Sequence, residues 1–297
     1  MVAAETSHRH SVVTDSNPLA IVAGSGTLPF AVADAAIRRG RRVVMLALRG
    51  MADAARLATY PHHWIKFGQI ARCARLARQE GCCEIVFIGG IVRPAISQLW
   101  LDFGTLRHLP QLLKLLRAGD NGMLSGFTKA FEAQGFRVTG AHEIAPEILM
   151  PAGGVGRRAP SAIDWDDIRR GLALLDVIAP FDVGQAVVMA EGRVLAIEGA
   201  EGTDNVLIRL ADLKAVGRVR WPAGRGVLVK AVKRGQDRRI DLPALGPRTI
   251  ELVARAGLNG IAVTAGSAVV ADADRIAGLA DQAGIFVYGV DADAAGR

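Results

Sequence analysis

The stretch at residues 19–40, LAIVAGSGTLPFAVADAAIRRG, decides the fold of this chain. Its first five residues are all apolar and predict a buried strand that ends at Gly24. Pro29 suits the first turn of the helix that follows, and Gly40 is placed to end that helix. A strand, a glycine turn and a helix in this order are typical of the start of a nucleotide-binding α/β domain.

The glycine turn also provides a candidate site for an anion, because free backbone amides gather at a helix N-terminus. The residues that would contact the anion are Gly24, Ser25, Gly26, Thr27 and Leu28. Pro29 stands where the dinucleotide-binding fingerprint has its third glycine. The turn on its own therefore also fits a plain tight turn without a ligand.

The pattern of strand followed by helix continues to about residue 145. Further strands are predicted at 43–48, 64–67, 85–88 and 136–139, and helices at 70–79, 106–116 and 123–133. This alternation predicts a parallel sheet with helices on both faces, which is a Rossmann-like domain over residues 19–145. Ligands of such sheets bind at the carboxyl ends of the strands.

A second glycine pair, Gly89-Gly90, follows the predicted strand at 85–88. Arg93 lies close behind it and is a candidate phosphate ligand, with an ordinary surface arginine as the alternative. Further along, residues 119–122 read GDNG and are expected to separate the helix at 106–116 from the helix at 123–133.

The second half of the chain has a different pattern of predicted secondary structure. Residues 1–18 form a polar tail without pattern, and residues 146–160, PEILMPAGGVGRRAP, are rich in proline and glycine and are predicted to be a linker. Beyond it, residues 161–297 mix helices with shorter strands and with a hairpin turn at Glu191-Gly192. The predicted fold class is therefore α/β, with a Rossmann-like parallel sheet first and a mixed α/β domain second.

The amino-acid composition limits the classes of molecule that the protein is expected to bind. The 297 residues carry a formal net charge of +7, which favours anionic partners such as a phosphorylated metabolite or an anionic membrane surface. Aromatic residues make up only 5% of the chain and the basic residues form no known nucleic-acid motif, so nucleic acid is not expected as a partner. The three cysteines show no metal or disulfide spacing, and no apolar run approaches the roughly 20 residues of a membrane span, so we expect a cytoplasmic protein.

The basic segment at residues 228–251, LVKAVKRGQDRRIDLPALGPRTIE, is the first candidate for chemistry. An apolar run ends at Lys230 and gives way to cations with carboxylates between them, which suits neither a core nor a linker. Cations bind phosphate oxygens, and a carboxylate among them can hold a metal ion or a water molecule. A solvated charged loop remains the alternative.

An acidic segment at residues 197–204, IEGAEGTD, is the second candidate. Thr203 or Asp204 is expected to cap a helix over residues 206–216, but capping leaves Glu198 and Glu201 unexplained. Two loops of opposite charge, each following a strand, suit a phosphate ester bound together with a divalent cation.

Six motifs resemble the LpxI family of UDP-2,3-diacylglucosamine pyrophosphatases. They are GSGTLP, GGIVRP, GDNGML, DVGQAVV, AIEGAEGTD and LVKAVKRGQDRRIDLPALGP. The resemblance implies hydrolysis of UDP-2,3-diacylglucosamine to UMP and 2,3-diacylglucosamine 1-phosphate in lipid A assembly, with Mg²⁺ or Mn²⁺. It also implies a homodimer that associates peripherally with the cytoplasmic face of the inner membrane, and it makes Asp237 the essential catalytic carboxylate.

The candidate site residues divide into two sets. The substrate set consists of the glycine turn 24–28 together with Arg93, Asp120, Thr203, Lys230, Lys233, Gln236 and Arg239. The metal set is Glu198, Glu201, Asp204 and Asp237. The family pattern has a second aspartate after the one that matches Asp120, and Asn121 stands there in this chain, which puts a metal role for position 121 in doubt.

Two other functions compete with the pyrophosphatase. A nucleotide-dependent oxidoreductase would need a third glycine in the turn and an acidic residue after the second strand, where the chain has Leu48-Arg49. A protein that only binds a nucleotide sugar or a phospholipid would leave the carboxylates of both segments largely unused.

Overall fold

A computed structural model describes residues 17–91, 120–181, 183–232, 237–240, 242–270 and 272–291, and for residues 120–125 only the backbone. The first part of the chain alternates strands and helices as predicted. Its strands are β1 (Leu19–Ala23), β2 (Val43–Leu48), β3 (His62–Ile65), β4 (Glu84–Ile88) and β5 (Arg137–Val138). Its helices are α1 (Leu28–Arg38), α2 (Ala54–Leu57), α3 (Ile70–Gln79), α4 (Asp120–Glu132) and α5 (Ala141–Ile144).

The first sheet has the strand order β3-β2-β1-β4-β5, and every neighbouring pair is parallel. The order reverses between β1 and β4, which is where sheets of this kind bind ligands. Both predicted glycine loops lie at this switch point, and Ser25 and Gly90 form an antiparallel bridge across it. All five residues of β1 are buried because both faces of the sheet are covered.

Some predicted bounds are wrong. The strand expected at 64–67 is β3, which spans His62–Ile65. The GDNG sequence was expected to end one helix before another begins at Met123, but α4 begins at Asp120 and includes Asn121 and Gly122. Glycine in a helix costs about 1 kcal/mol relative to alanine, a cost that the packing of a helix readily offsets. The predicted helix at 106–116 and the tail up to residue 16 lie outside the described residues.

The second part of the chain forms a mixed sheet. Its strands are β6 (Gly153–Gly154), β7 (Ala186–Ala190), β8 (Arg193–Ile197), β9 (Val227–Lys230), β11 (Gly260–Thr264) and β13 (Phe286–Val290), and a short pair joins β10 (Ala244–Leu245) to β12 (Val269–Val270). The six-stranded order is β6-β13-β11-β9-β7-β8, in which β9, β11 and β13 are parallel and β6, β7 and β8 join antiparallel. The helices are α6 (Ala162–Ile178), α7 (Gly202–Ala215), α8 (Pro247–Ala256) and α9 (Ala273–Ala283).

Each sheet has an apolar core on both of its faces. In the first part, Phe30 packs on one face of the sheet and Phe131 on the other. In the second, α7, α8 and α9 cover one face and α6 covers the other. Val269 of β12 belongs to the core of the first sheet, so the two parts share apolar contacts. The predicted α/β class, with a parallel sheet first and a mixed sheet second, is confirmed.

Within the described part of the chain, no helix has both the length and the apolar character that crossing a bilayer requires.

Candidate active site

A cavity of about 690 Å³ lies between the two sheets. The first part of the chain contributes the carboxyl ends of β1, β2 and β4, together with α3 and α4. The second part contributes the segments after β8 and β9 and part of β12. The cavity therefore lies at the carboxyl edge of the parallel sheet, where the sequence predicted that a ligand would bind.

One wall of this cavity is apolar. It consists of strand-end and helix side chains of the first part, among them Val22, Leu48, Ile65, Phe67, Ile70, Phe87, Phe127 and Phe131. Phe67 and Phe127 meet edge to face with ring centroids 5.6 Å apart, and Phe87 meets Phe131 in the same way at 5.2 Å. Sequence reasoning missed this wall. Its one sequence signal is the spacing of Phe127 and Phe131, four residues apart on one face of a helix.

The second part of the chain gives the cavity a cationic wall, formed by Lys230, Arg238 and Arg239. Among the described residues, the charged side chains that line the cavity are Lys66, Lys230, Arg238, Arg239 and one carboxylate, Glu198. An excess of cations in a partly enclosed cavity with low-dielectric walls attracts anions.

Lys230 is the most deeply buried of these cations, with 7% of its surface exposed. It is the last residue of β9, a strand whose four residues are all buried. Burial lowers the pKa of Lys230, while the nearby charges of Glu198 and Asp204 act in the opposite direction.

Lys230, Thr203 and Glu198 form a chain of hydrogen bonds. The Nζ of Lys230 donates to Thr203 Oγ1 at 2.9 Å, and Thr203 Oγ1 donates to Glu198 Oε1 at 2.8 Å. The other carboxylate oxygen of Glu198 accepts from the backbone amide of Gln185 at 2.8 Å. The capping expected for Thr203 or Asp204 is wrong, because α7 has Glu201 at its N-cap and shows no side-chain cap.

Asp237 lies beside the cavity in the described segment 237–240. Arg239 donates to its two carboxylate oxygens, from Nε at 3.0 Å and from Nη2 at 2.7 Å. These hydrogen bonds lower the pKa of Asp237, against the opposing effect of burial. Arg239 also donates through Nη1 to Glu132 Oε1 at 2.7 Å, which ties the segment to α4 of the first part.

The four predicted metal-binding carboxylates are each held by protein groups. Glu198 belongs to the lysine chain and Asp237 is bound by Arg239. Glu201 pairs with Arg209 at 2.9 Å, and Asp204 pairs with Arg248 at 2.9 Å. The described segments contain no group of three or more carboxylate, histidine or cysteine side chains that could hold a metal ion.

The first glycine turn is packed against the second. A side chain at Gly24 would place its Cβ 2.5 Å from the carbonyl oxygen of Gly90. Ser25 exchanges two backbone hydrogen bonds of 2.9 Å with Gly90, and its hydroxyl donates to the same carbonyl at 3.1 Å. Leu28, Gly89 and Gly90 line the cavity. The need for glycine at position 24 thus follows from the contact between the loops.

Several candidate residues lie outside the described residues. They are Arg93, Lys233, Gln236 and the side chain of Asp120. Their assignment to substrate binding stays a prediction.

Comparison with known proteins identifies the family. Residues 18–148 match the model of the LpxI N-terminal domain, and residues 151–288 match that of the LpxI C-terminal domain. The chain belongs to the LpxI family. The resemblance read from the six motifs is therefore confirmed at the level of the family.

A curated member of the LpxI family is similar over nearly the whole chain. The UDP-2,3-diacylglucosamine pyrophosphatase LpxI of Caulobacter vibrioides is 39% identical over 273 residues, which cover 92% of this chain and 97% of that protein. A solved structure of glycinamide-RNase-transformylase T from Mycobacterium tuberculosis matches with 12% identity and a TM-score of 0.23. The match covers 62% of this chain but 43% of that one, and so low a score supports no argument about the fold or function of this LpxI family member.

Proposed function

We propose that this chain hydrolyses the diphosphate of UDP-2,3-diacylglucosamine to UMP and 2,3-diacylglucosamine 1-phosphate, a step of lipid A biosynthesis. One observation carries the proposal, namely a cavity that combines an apolar wall with a cationic wall. A nucleotide-linked diacyl sugar has the same division into apolar chains and an anionic diphosphate. The similarity to a pyrophosphatase with this substrate in its name supports the assignment.

The apolar wall accounts for the lipid part of the substrate. Each methylene that leaves water and is fully buried contributes about 0.8 kcal/mol, so two acyl chains supply much of the binding free energy. Phenylalanines supply a large share of such surface, and four line this cavity within the described residues. A sugar nucleotide without acyl chains is therefore expected to bind poorly.

The cationic wall accounts for the diphosphate. Lys230, Arg238 and Arg239 line the cavity, and their charges stabilise negative charge that develops on phosphate oxygens in the transition state. Arg239 also holds Asp237 in place, so one guanidinium links the proposed catalytic carboxylate to the anion-binding wall. Asp237 is the residue that we assign to catalysis.

A divalent cation fits this donor set only in part. The described carboxylates do not form a cage of three. Mg²⁺, however, keeps several waters and is commonly bound by one or two carboxylates together with substrate phosphates. Asp237, ionised and beside the cavity, is the carboxylate that we propose as its protein ligand. When bound, Mg²⁺ or Mn²⁺ would supply Lewis-acid stabilisation of the diphosphate.

Release of UMP from UDP-2,3-diacylglucosamine by the purified chain tests the proposal. We expect UMP in the presence of Mg²⁺, no product in excess EDTA, and recovery when Mg²⁺ or Mn²⁺ is restored. UDP-glucosamine without acyl chains serves as the second substrate and should show a much lower kcat/KM. Binding of the lipid nucleotide without UMP release would favour a non-enzymatic binding protein. Full turnover in EDTA would contradict the role of the metal.

The resemblance leads to two further parts of the same proposal. The protein is proposed to act at the cytoplasmic face of the inner membrane as a peripheral protein, because its substrate carries acyl chains. It is also proposed to be a homodimer. Flotation with anionic phospholipid vesicles tests the first part, and the mass in solution by light scattering tests the second.

A further inference from the structure

Lys230 is an unusual residue to find at the end of a buried central strand. A buried ammonium is costly unless it is paired and hydrogen-bonded. Its Nζ donates to Thr203 Oγ1 at 2.9 Å and to the carbonyl of Ala244 at 3.4 Å. An ammonium has three N–H donors. Within the part of the chain that the structure describes, the third donor of Lys230 has no protein acceptor, and the residue lines the cavity.

The hydroxyl of Thr203 forms hydrogen bonds with both Glu198 and Lys230. It donates to Glu198 Oε1 at 2.8 Å, and its oxygen accepts from Lys230. A hydroxyl has one proton to donate, so the bond to Glu198 turns a lone pair of Thr203 towards Lys230. The direction of the lysine ammonium therefore depends on a carboxylate that it does not touch.

Glu198 is in turn fixed from two sides. Its second oxygen accepts from the amide of Gln185 at 2.8 Å. Its side chain passes over Gly184, where an added Cβ would lie 2.4 Å from the Cβ and Cγ of Glu198. The absence of a side chain at Gly184 thus leaves room for Glu198 beside the beginning of β7. These contacts fix the carboxylate before any ligand arrives.

We propose that Glu198 and Thr203 are positioning residues that aim the Lys230 ammonium at the diphosphate of the bound nucleotide. The inference rests on the proposed function for the choice of a diphosphate as the anion. It gives Glu198 a role other than metal binding. A divalent ion on Glu198 would lie close to the buried ammonium, and the two positive charges would repel each other.

Binding of UDP, measured by calorimetry in excess EDTA, tests this arrangement without turnover and without metal. Thr203→Val keeps the shape of the side chain but removes the hydroxyl, and should weaken UDP binding about tenfold or more. Thr203→Ser keeps the hydroxyl and should bind within about twofold of the wild type. Thr59→Val is the matched control, because Thr59 is exposed in the turn after α2.

A double-mutant cycle separates positioning from a general structural effect. Lys230→Met removes the ammonium, so Thr203→Val should cause no further loss of UDP affinity in that background. Glu198→Gln should weaken binding as Thr203→Val does, because the single oxygen of a glutamine amide cannot accept from both the Thr203 hydroxyl and the Gln185 amide.

The outcomes of these measurements are distinct. Full UDP affinity in Thr203→Val, additive losses with Lys230→Met, or no UDP binding by the wild type would overturn the positioning role. If the UDP series behaves as expected while no UMP is released from the lipid nucleotide, the proposed hydrolysis fails and the positioning role stands.

Discussion

Replacing Gly24 by alanine is expected to lower the free energy of unfolding by about 2 kcal/mol, because the two glycine loops touch at this residue. The new Cβ would lie 2.5 Å from the carbonyl oxygen of Gly90, and 2.9 Å from the carbonyl carbon of Gly89. All of the clashing atoms belong to the backbone, so no side chain can rotate away. The loops must separate by about 0.9 Å for the first contact to reach 3.4 Å.

That separation would break the hydrogen bonds that join the two loops. Ser25 and Gly90 exchange two backbone hydrogen bonds of 2.9 Å, each worth about 0.5–1.5 kcal/mol net. Losing both costs about 1–3 kcal/mol, and residual overpacking adds to this. Alanine recovers about 0.4–1 kcal/mol by restricting the unfolded chain. The difference leaves a net loss of about 2 kcal/mol.

Urea unfolding of the variant and the wild type provides the measurement. Gly278→Ala in α9 is the matched control, because a Cβ there meets no atom within 4 Å. Alanine should stabilise that helix by about 0.5–1 kcal/mol. Because Gly89 and Gly90 line the cavity, Gly24→Ala should also raise KM for the lipid nucleotide. An unchanged unfolding free energy for Gly24→Ala would refute the argument from loop contact.

Three further predictions concern charged residues. Asp237→Asn should fold and bind substrate but lower kcat by about 10²–10⁴-fold, whereas Glu191→Gln in the exposed hairpin turn should leave kcat unchanged; near-normal turnover of Asp237→Asn would remove it from catalysis. Glu132→Gln weakens the ion pair between α4 and Arg239, the residue that holds Asp237, so kcat should fall by about threefold to tenfold. A kcat equal to that of the wild type would show that this ion pair is dispensable. The hydrogen bond from Arg39 lowers the pKa of Glu147 from 4.5 to about 2, so its stabilising effect is present above pH 4.5 and is lost as the pH falls towards 2. Glu147→Gln should flatten that part of the stability profile in acid unfolding, and an identical profile would contradict the assignment.

Local sequence was sufficient for most of the fold. The strands Leu19–Ala23 and Val43–Leu48 and the helix Ile70–Gln79 have the predicted bounds, because their hydrophobic patterns are signals carried within each segment itself. The helix α2 (Ala54–Leu57) was missed, since four residues are too few to show a helical period.

The candidate site was harder to predict because its contacts join distant residues. Glu201 and Asp204 resemble metal ligands in the sequence, but Arg209 and Arg248 hold them in the fold. Threonine is a common helix cap, yet the hydroxyl of Thr203 accepts a hydrogen bond from Lys230, 27 positions away in the sequence. A polar side chain can form hydrogen bonds with several alternative partners, and the tertiary structure determines which of them lie close enough.

The lowered pKa of Asp237 indicates which catalytic role its carboxylate can play in this cavity. A general base works best when its pKa lies near the operating pH, and the hydrogen bonds from Arg239 hold the pKa of Asp237 below its ordinary value. Asp237 is consequently ionised at neutral pH but a weak proton acceptor. An ionised carboxylate of this kind suits a ligand for a hard cation, or a group that orients a water, better than it suits proton abstraction. The arginine that depresses the pKa also lines the anion-binding wall, so substrate binding and the charge state of Asp237 depend on the same guanidinium.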